Sequence, residues 1–455
     1  MLNPRDIFVK AGTRAAQLRL ISKDELAKAD ARLKTQAQAL GFEAAPLSLM
    51  PVLAADGAVT GFLVGAPGAE ADGFAVGAIS SRLPSGTYEF ASTLATPHLT
   101  ALAWALELYR YGPFRKAEIK KARLVLPAGV DAQRLAREVE ATALVRDLIN
   151  APANLLGPDE LEDAARKVAK AGKAKFTVIS GKRLEKDFPM IHVVGAASTR
   201  APRLIDFTWG KPTHPKVTLV GKGVVFDTGG LDIKPSSSML LMKKDMGGAA
   251  TVLGLASLIM GAKLPVRLRV LIPAVENSIA GDAFRPGDVF KTRKGLTVEI
   301  GNTDAEGRLI LSDALALADE EAPDLLVDMA TLTGAARVAL GPDLPPFYTD
   351  DAGLAAALAK HAQAENDPLW QLPLWRPYYS MIDTPMADLN NAGAGGFAGS
   401  ITAALFLRRF VEKATSYAHF DVFGWVPNAK PGRPKGGEAQ AMRTVFAMMA
   451  ERYAK

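Results

Sequence analysis

Three short segments of the sequence concentrate carboxylates and cations in a way that suits metal-dependent chemistry. They read VGKGVVFDTGGLDIKP, KKDMGGAA and EIGNTDAEGRL, and their charged residues of interest are Lys222, Asp227, Lys234, Asp245, Asp304, Glu306 and Arg308. Carboxylate oxygens are hard ligands for divalent cations, and two such ions about 3.5 to 4 Å apart need carboxylates that bridge them. The four carboxylates therefore predict a site for two divalent ions, which would lower the pKa of a bound water toward neutrality.

The third segment spaces Asp304, Glu306 and Arg308 two residues apart. On an extended segment, residues i, i+2 and i+4 project to one side, so both carboxylates and the guanidinium are expected to face the same cavity. The following helix is expected to begin near Arg308. Two interpretations of Arg308 stay open: its planar fork suits a bidentate oxyanion, or it forms a salt bridge to a carboxylate or caps the next helix.

The two lysines are expected to have different roles. Lys222 lies in the apolar run VTLVGKGVVF, where a buried ammonium needs a partner. A lysine beside two dications loses its proton more readily and can be a neutral nitrogen ligand, whereas a second lysine, slightly further away, stays charged and holds an oxyanion. Asp245 precedes the helical run GGAATVLGLASLIM, so it is either a ligand or a helix cap.

Two residue types that often carry catalysis are missing from these segments. Cysteine is absent from the chain, which excludes disulfides, thiolate metal sites and a cysteine nucleophile. The five histidines, His98, His192, His214, His361 and His419, all lie outside the three segments. A bound anion or a carboxylate is therefore expected to transfer the proton, and His419, in AHFDVFGW, is expected to be a structural core or interface residue.

Composition indicates a folded protein, since 49% of the 455 residues are hydrophobic and 22% are charged. The net charge of +6 divides by counting into +3 for residues 1–150 and +3 for the remainder. A nucleic-acid module usually concentrates its charge, so nucleic acid is not expected as a partner. Asp6 and Lys10 interrupt the start of the chain, and no apolar run is judged to reach about 18 residues, so we expect a cytoplasmic protein without a membrane partner.

The chain is expected to consist of an amino-terminal α/β domain (1–130), a linker helix (131–150) and a larger catalytic domain (151–455). The linker helix is predicted from the three- and four-residue apolar spacing of DAQRLAREVEATALVRDLI, which APANLLGP ends. Beyond it, strand-like runs alternate with helical runs. This alternation predicts an α/β fold with a mixed, largely parallel sheet sandwiched by helices, and with sites at the carboxyl ends of strands.

The segments NTDAEGRL, GKGVVFDTGG and MKKDMGGAA closely resemble signature segments of the leucyl aminopeptidase family, also called cytosol aminopeptidases. The likeness extends from VRDLINAPAN through VDMATLTGAA and DLNNAGAGGFAGSITAALF to AHFDVFGW. It implies a dinuclear metallo-aminopeptidase that hydrolyses the peptide bond after a free amino-terminal residue of peptides.

The resemblance also implies which residues bind the two ions, which would be Mn or Zn, with Mg also possible. Lys222, Asp227, Asp245 and Glu306 would surround one ion, and Asp227, Asp304 and Glu306 would surround the other. Asp227 and Glu306 would then bridge the two ions.

The remaining site residues are implied in the same way. Lys234 would stabilise the developing oxyanion, and Arg308 would hold a bicarbonate ion that shuttles the proton. Met242, Thr331 and Gly334 match positions that line the substrate pocket of relatives, which implies an apolar, Leu-like first residue. The simpler interpretation of Met242 is a residue that fills a gap in the core.

The resemblance further implies a homo-hexamer. Two alternative functions are weighed against the aminopeptidase. A two-metal phosphoesterase would use a similar carboxylate cluster, but such sites often include histidine ligands, and the lysine ligand and the full signature argue against it. A DNA-binding or assembly role, in addition to or instead of peptidase activity, gets no positive support from the even charge distribution.

Overall fold

The computed structural model describes residues 2–68, 72–114, 121–393 and 395–453. The chain divides into two units, Met1–Ala143 with Asn428–Lys435, and Leu144–Pro427 with Gly436–Lys455. Both units contain sheets and helices, which confirms the predicted α/β class with a smaller amino-terminal and a larger second domain. The segment Asn428–Lys435 belongs by its contacts to the first unit, although the sequence interpretation assigned it to the larger domain.

A six-stranded sheet is the centre of the first unit. Its strands are β1 (Phe8–Val9), β2 (Ala16–Ile21), β3 (Leu49–Leu53), β4 (Val59–Gly65), β5 (Gly86–Phe90) and β6 (Ala122–Val125). Their order is β1-β6-β5-β2-β4-β3, and β3 pairs antiparallel with β4 while the other pairs are parallel. The helices of this unit are α1 (Pro4–Ile7), α2 (Lys23–Ala27), α3 (Ala31–Ala39), α4 (Gly73–Gly77) and α5 (Pro97–Glu107), with a 3-10 turn at Ala78–Ser81.

The predicted linker helix is present as α6 (Ala132–Asn150). Oδ1 of Asp131 accepts the backbone N–H groups of Gln133 and Arg134 at 2.8 and 3.1 Å, which satisfies donors that the first turn would leave without a partner. The division between the two units falls inside this helix, after Ala143.

A nine-stranded sheet is the centre of the second unit. Its strands are β7 (Lys175–Ser180), β8 (Arg203–Trp209), β9 (Lys216–Gly221), β10 (Gly223–Asp227), β11 (Arg267–Asn277), β14 (Leu325–Ala330), β15 (Pro346–Tyr348), β16 (Trp370–Gln371) and β18 (Ser416–Asp421). Smaller sheets contain β12 (Val289–Lys291), β13 (Thr297–Glu299) and β17 (Leu389–Asn390), and β19 (Trp425–Val426) with β20 (Gly436–Gly437). In the large sheet β9, β10, β11, β14 and β18 run parallel, and β7, β8 and β15 supply antiparallel pairs, so the predicted mixed, largely parallel sheet is confirmed.

Helices cover both faces of this sheet. They are α7 (Pro158–Gly172), α8 (Gly181–Asp187), α9 (Pro189–Gly195), α10 (Ser236–Met239), α11 (Gly247–Ala262), α12 (Glu306–Asp319), α13 (Gly334–Leu340), α14 (Ala352–Ala364), α15 (Gly399–Arg408) and α16 (Met442–Tyr453), with 3-10 turns at Met242–Lys244 and Arg376–Met381. All six residues of β14 are buried. Because alternate side chains of a strand point to opposite faces, both faces of the sheet are covered there.

One stretch in the described part of the chain, Met242–Ala262, is long and apolar enough to cross a membrane by length and composition alone. The expectation that no such run exists was therefore wrong. In the fold, 83% of the apolar window is buried inside the protein. Helix α11, which makes up most of the stretch, packs against β9, β11 and β14 as a core helix.

Candidate metal centre

The candidate site lies where parallel strands of the large sheet end. Lys222 is the single residue between β9 and β10, Asp227 is the last residue of β10, and Thr331 directly follows β14. Since β9 pairs in parallel with both β11 and β14, and β10 pairs in parallel with β11, these strand ends lie at the same edge. This edge is where the sequence pattern predicted a site.

A tight turn after β10 fixes the orientation of Asp227. Gly229 in this turn has a φ of +88°, a backbone conformation that residues other than glycine rarely adopt. A Cβ at Gly229 would lie only 3.0 Å from Oδ1 of Asp304. The backbone N–H of Gly229 and the side-chain amide of Asn277 both donate to Oδ1 of Asp227 at 2.9 Å. The other oxygen, Oδ2, is left to face Lys234.

Lys222 joins two of the predicted ligand carboxylates. Its ammonium lies 2.7 Å from Oδ2 of Asp245 and 2.8 Å from Oε1 of Glu306, and it donates to the carbonyl of Thr331 at 3.1 Å. Lys222, Asp245 and Glu306 are almost fully buried. Carboxylate oxygens of Asp227, Asp245 and Glu306 lie within 4.8 Å of one another, so the fold brings three of the predicted ligands together.

Lys234 joins the remaining carboxylates. Its ammonium lies 2.8 Å from Oδ2 of Asp227 and also contacts Oδ1 of Asp304. Asp227 therefore links the two groups, because it contacts Lys234 and also has an oxygen within 4.8 Å of oxygens of Asp245 and Glu306.

Gly307 makes room for Lys222. A Cβ at Gly307 would lie 2.5 Å from Cε and 2.6 Å from Nζ of Lys222. Since such contacts are shorter than van der Waals distances allow, any larger residue at position 307 would displace the lysine from its carboxylates.

The expected geometry of the third segment was wrong. Helix α12 begins at Glu306 rather than near Arg308, so these two residues are helical and do not share one side of an extended segment with Asp304. The reason is a local turn, in which Oδ1 of Asn302 accepts the backbone N–H of Asp304 at 2.7 Å just before the helix. Asp304 and Arg308 nevertheless line one cavity.

The electrostatics of the cluster favour added positive charge. Burial, with a contribution from Asp227, raises the pKa of Glu306 to about 8 and that of Asp304 to about 6. Burial alone would lower the pKa of Lys222 and of Lys234, but the surrounding carboxylates outweigh it and raise both. Four carboxyl groups share two ammonium groups, so ionisation of all four would leave an excess of negative charge that metal ions would balance.

The chemistry of these donors fits divalent metal ions. Three buried carboxylate oxygens, Oδ2 of Asp245, Oδ1 of Asp304 and Oε1 of Glu306, accept no hydrogen bond within the described residues and have only the ion-pair contacts to the lysines. Buried oxygen atoms normally accept a hydrogen bond, so three that accept none indicate that a bound ion or ligand is their partner. Hard oxygen donors of this kind suit Mn, Mg and Zn.

Asp245 is not a helix cap. The N-cap residue of α11 is Met246, and no side chain makes a cap hydrogen bond there. Instead, Oδ1 of Asp245 accepts the hydroxyl of Thr331 at 2.8 Å. Thr331, which was expected to line the substrate pocket, therefore also orients Asp245.

Arg308 is a buried cation that contacts a carbonyl rather than a carboxylate. Its Nη1 donates to the backbone carbonyl of Asn391 at 2.6 Å, and its Nε has no hydrogen-bond partner among the described residues. Burial lowers the pKa of Arg308 to about 10, a value at which the guanidinium remains charged at neutral pH. The guanidinium therefore retains capacity to bind an oxyanion.

The site opens into a cavity of about 430 Å³. Its wall includes Met242, Thr331 and Gly334, the three residues expected in the substrate pocket. Met242 is half-buried on this wall, and a Cβ added to Gly334 would meet nothing within 4 Å. The interpretation of Met242 as a residue that fills a gap in the core does not describe this position.

Three residues at the site were not singled out from the sequence. Asn277 orients Asp227, and Asn391 accepts the backbone N–H of Gly301 through its side-chain oxygen at 2.7 Å, which holds together two loops of the site. Lys244 lines the cavity and is buried, and this burial lowers its pKa to about 8. Asn391 lies in the quoted motif DLNNAGAGG and Lys244 in the quoted motif MKKDMGGAA, whereas no quoted motif includes Asn277.

Comparison with known families assigns both parts of the chain. Residues 143–446 match the model described as "Cytosol aminopeptidase family, catalytic domain", and residues 16–127 match the "M17 aminopeptidase, N-terminal domain". The chain belongs to the cytosol aminopeptidase family. The resemblance inferred from the motifs is thereby confirmed.

Individual relatives agree with this assignment. The crystal structure of a cytosol aminopeptidase from Coxiella burnetii is 44% identical, with a TM-score of 0.93, and the match covers 98% of this chain and 99% of that one. The bottromycin maturation enzyme BotP in complex with Mn is 31% identical, with a TM-score of 0.86, and the match covers 96% and 99% of the two chains. A protein of Syntrophotalea carbinolica named "Probable cytosol aminopeptidase" is 42% identical over 314 residues, which cover 68% of this chain. The chain spans less than two thirds of the length of this and other curated relatives that it matches.

Proposed function

We propose that the protein is a metal-dependent aminopeptidase that hydrolyses the peptide bond after a free amino-terminal residue. One observation carries this proposal: the carboxylate cluster of Asp227, Asp245 and Glu306 lies at a cavity that also presents the cation Lys234. Metal ions held by these carboxylates would bind the free amine of a peptide, and the cation beside them complements a carbonyl oxygen as it becomes negative.

Five residues would hold two divalent ions, namely Lys222, Asp227, Asp245, Asp304 and Glu306. Bound ions would polarise the substrate carbonyl and make a water nucleophilic at neutral pH. Asp227 is one proposed bridge, because it contacts Lys234 and has an oxygen close to oxygens of Asp245 and Glu306, and Glu306 is the second proposed bridge. The donor set does not select among Mn, Zn and Mg, and the Mn complex of the relative BotP supports Mn.

Lys234 and Arg308 would be the catalytic residues. Lys234 has a side chain that is only 12% exposed and remains charged, so it can stabilise an oxyanion without the screening that bulk water causes. Arg308 has an Nε that lacks a partner among the described residues and would hold bicarbonate, which takes up and returns the proton. No histidine lies among the residues that line the cavity in the described part of the chain.

The substrate would have an apolar, Leu-like first residue. Met242 supports this part of the proposal, because its flexible thioether side chain lines the cavity next to Thr331 and Gly334. The absence of a Cβ at Gly334 leaves space for a substrate side chain at this wall.

The proposal also covers cellular location and assembly. A cytoplasmic location is supported by the names of the relatives, which describe cytosol aminopeptidases. A homo-hexamer is supported by Leu240 and Val338, large apolar side chains of the second unit that are more than three quarters exposed. Analytical ultracentrifugation should give six times the mass of the 48.2 kDa chain.

The experiment that tests the activity compares two substrates with the same side chain. The purified full chain, loaded with Mn or Zn, should hydrolyse leucine anilide and leave acetyl-leucine anilide intact, because the acetylated substrate has no free amine to bind a metal ion held by the carboxylates. Equal rates on the two anilides would overturn the aminopeptidase assignment.

A further inference from the structure

Lys244 differs from the other buried cations at the cavity because its side chain has no hydrogen-bond or ion-pair partner among the described residues. Lys222 and Lys234 each contact two carboxylates, and Arg308 donates to a backbone carbonyl. Lys244 is only 5% exposed, and within the described residues its ammonium has neither an ion pair nor a hydrogen bond. Burial disfavours a charge that has no partner, so an anion that binds there would gain free energy.

The carboxylate of Asp245 does not pair with the Lys244 ammonium. Asp245 is the next residue, but its Oδ1 accepts the hydroxyl of Thr331 and its Oδ2 contacts Lys222. The Lys244 ammonium instead lies 5.1 Å from the centre of the Phe423 ring. Arg337 lies 4.9 Å from the centre of the same ring, also without an ion pair in the described part of the chain. The wall around Phe423 therefore has two positive charges.

Lys244 and Arg337 lie on the same two elements as residues of the proposed pocket for the first side chain. Met242 and Lys244 are the first and last residues of one 3-10 turn, and Gly334 and Arg337 lie on the first turn of α13. All four line the cavity. The two cations therefore line the same cavity as the residues proposed to contact the first side chain.

We propose that the pocket for the first residue selects a carboxylate side chain over a neutral side chain of the same shape, with Lys244 as the main specificity-determining residue and Arg337 as its support. The inference rests on the proposed aminopeptidase function and extends its substrate class from Leu-like to acidic first residues. Met242 contacts the aliphatic part of the side chain, and Lys244 binds the carboxylate. The aliphatic contact serves Leu and Glu alike, so the distinguishing pair is Glu against Gln.

The test uses the full chain loaded with Mn or Zn, and anilides of Glu, Gln and Leu, which have no terminal carboxylate. The expected kcat/KM for the Glu anilide exceeds that for the Gln anilide by about 10- to 100-fold, the range of a charge-assisted hydrogen bond in a partly buried site. Lys244→Met should reduce the Glu/Gln ratio by at least about tenfold, and Lys244→Arg, which keeps the charge, should retain most of it.

Lys243→Met is the matched control. Lys243 lies in the same 3-10 turn, but it donates to the backbone carbonyl of Asn150 at 2.7 Å and does not line the cavity. Its variant should keep the wild-type Glu/Gln ratio. Calorimetric titration with L-glutamate and L-glutamine adds a measurement that needs no turnover, and wild type should bind glutamate at least about tenfold more tightly than the Lys244→Met variant does.

The outcomes separate the inference from the function on which it rests. Hydrolysis of the Leu anilide with a Glu/Gln ratio near one would overturn the inference and leave the aminopeptidase in place. Failure to hydrolyse any of the three anilides would overturn both. A second result would also overturn the inference. In it, the Glu/Gln ratio is near one, and amidation of the carboxyl terminus of Leu-Gly slows hydrolysis by the wild type but not by the Lys244→Met variant. Lys244 would then bind the terminal carboxylate of short peptides.

Discussion

The ammonium of Lys222 lies 2.8 Å from Oε1 of Glu306, and the glycine that follows Glu306 is what permits this contact. A side chain at Gly307 would occupy the volume that Cε and Nζ of Lys222 fill. Lys222 lies between β9 and β10 and Glu306 begins α12, so the metal centre depends on the close packing of these separate parts of the chain.

Gly307→Ala should therefore impair the metal centre. We expect the variant to lose metal affinity and to be destabilised by about 1 to 3 kcal/mol, the usual cost of an added methyl group in a packed site. Elemental analysis and thermal unfolding measure the two effects. Gly281→Ala is the control, because a Cβ at Gly281 would meet nothing within 4 Å. Full metal content in the Gly307→Ala variant would contradict the packing argument.

Lys234→Ala should keep both metal ions and lower kcat by about 10²- to 10³-fold, the usual loss when one donor to an oxyanion is removed. The reason is that Lys234 faces the cavity while it contacts Asp227 and Asp304. Steady-state kinetics with leucine anilide measures the effect. An unchanged kcat with a raised KM would instead make Lys234 a residue that binds the ground state.

Arg308→Ala should keep both metal ions and lower kcat by about 10²- to 10⁴-fold, the range of general acid-base catalysis. Wild-type activity should fall in buffer purged of carbon dioxide and recover when bicarbonate is added, because the guanidinium would hold this anion. The variant should respond to neither treatment. Equal bicarbonate dependence of wild type and variant would remove Arg308 from the proton transfer.

The stability of the second unit should depend on pH through His419. Its Nδ1 lies 2.7 Å from Oδ1 of Asp328, and both side chains are fully buried, as expected for a structural histidine. Burial alone would lower the pKa of His419, but the Asp328 carboxylate outweighs it and raises the pKa above its ordinary value of about 6.5. The charged pair therefore contributes its full stability below pH ~6.5 and loses it as pH rises through the raised pKa of the folded state.

His419→Gln should accordingly lower the free energy of unfolding by about 3 kcal/mol near pH 5.5, and by less as pH rises above 7. Urea unfolding at a series of pH values measures this difference. His192→Gln, at a half-buried histidine without an ion pair in the described residues, is the control. A destabilisation that does not change with pH would mean that His419 stays neutral in the folded protein.

The parts of the site that the sequence predicted are those encoded by short local segments. Asp227, Asp245 and Glu306 stand beside glycines in motifs that resemble a known family, and the fold places their oxygens within 4.8 Å of one another. The strand-helix alternation likewise predicted the largely parallel sheet. In each case, neighbouring residues in the sequence were sufficient for the prediction.

The parts that were missed depend on distant packing. Asn277 lies at the end of β11 and orients Asp227, a contact that only the assembled sheet produces. Lys244 is unusual because its buried side chain has no ion pair or hydrogen bond among the described residues, and burial is not visible in the sequence. The start of α12 was misplaced because the hydrogen bond from Asp304 to Asn302 turns the chain earlier than the apolar pattern indicated.

The two-ion centre bridged by Asp227 and Glu306 is tested most directly by elemental analysis of the purified chain and its variants. Wild-type protein dialysed against Mn or Zn should contain two ions per chain. Glu306→Ala and Asp227→Ala should lose both ions, because each side chain is proposed to contact both, whereas Lys222→Ala should lose mainly one. Two ions per chain in the Glu306→Ala variant would contradict the bridged centre.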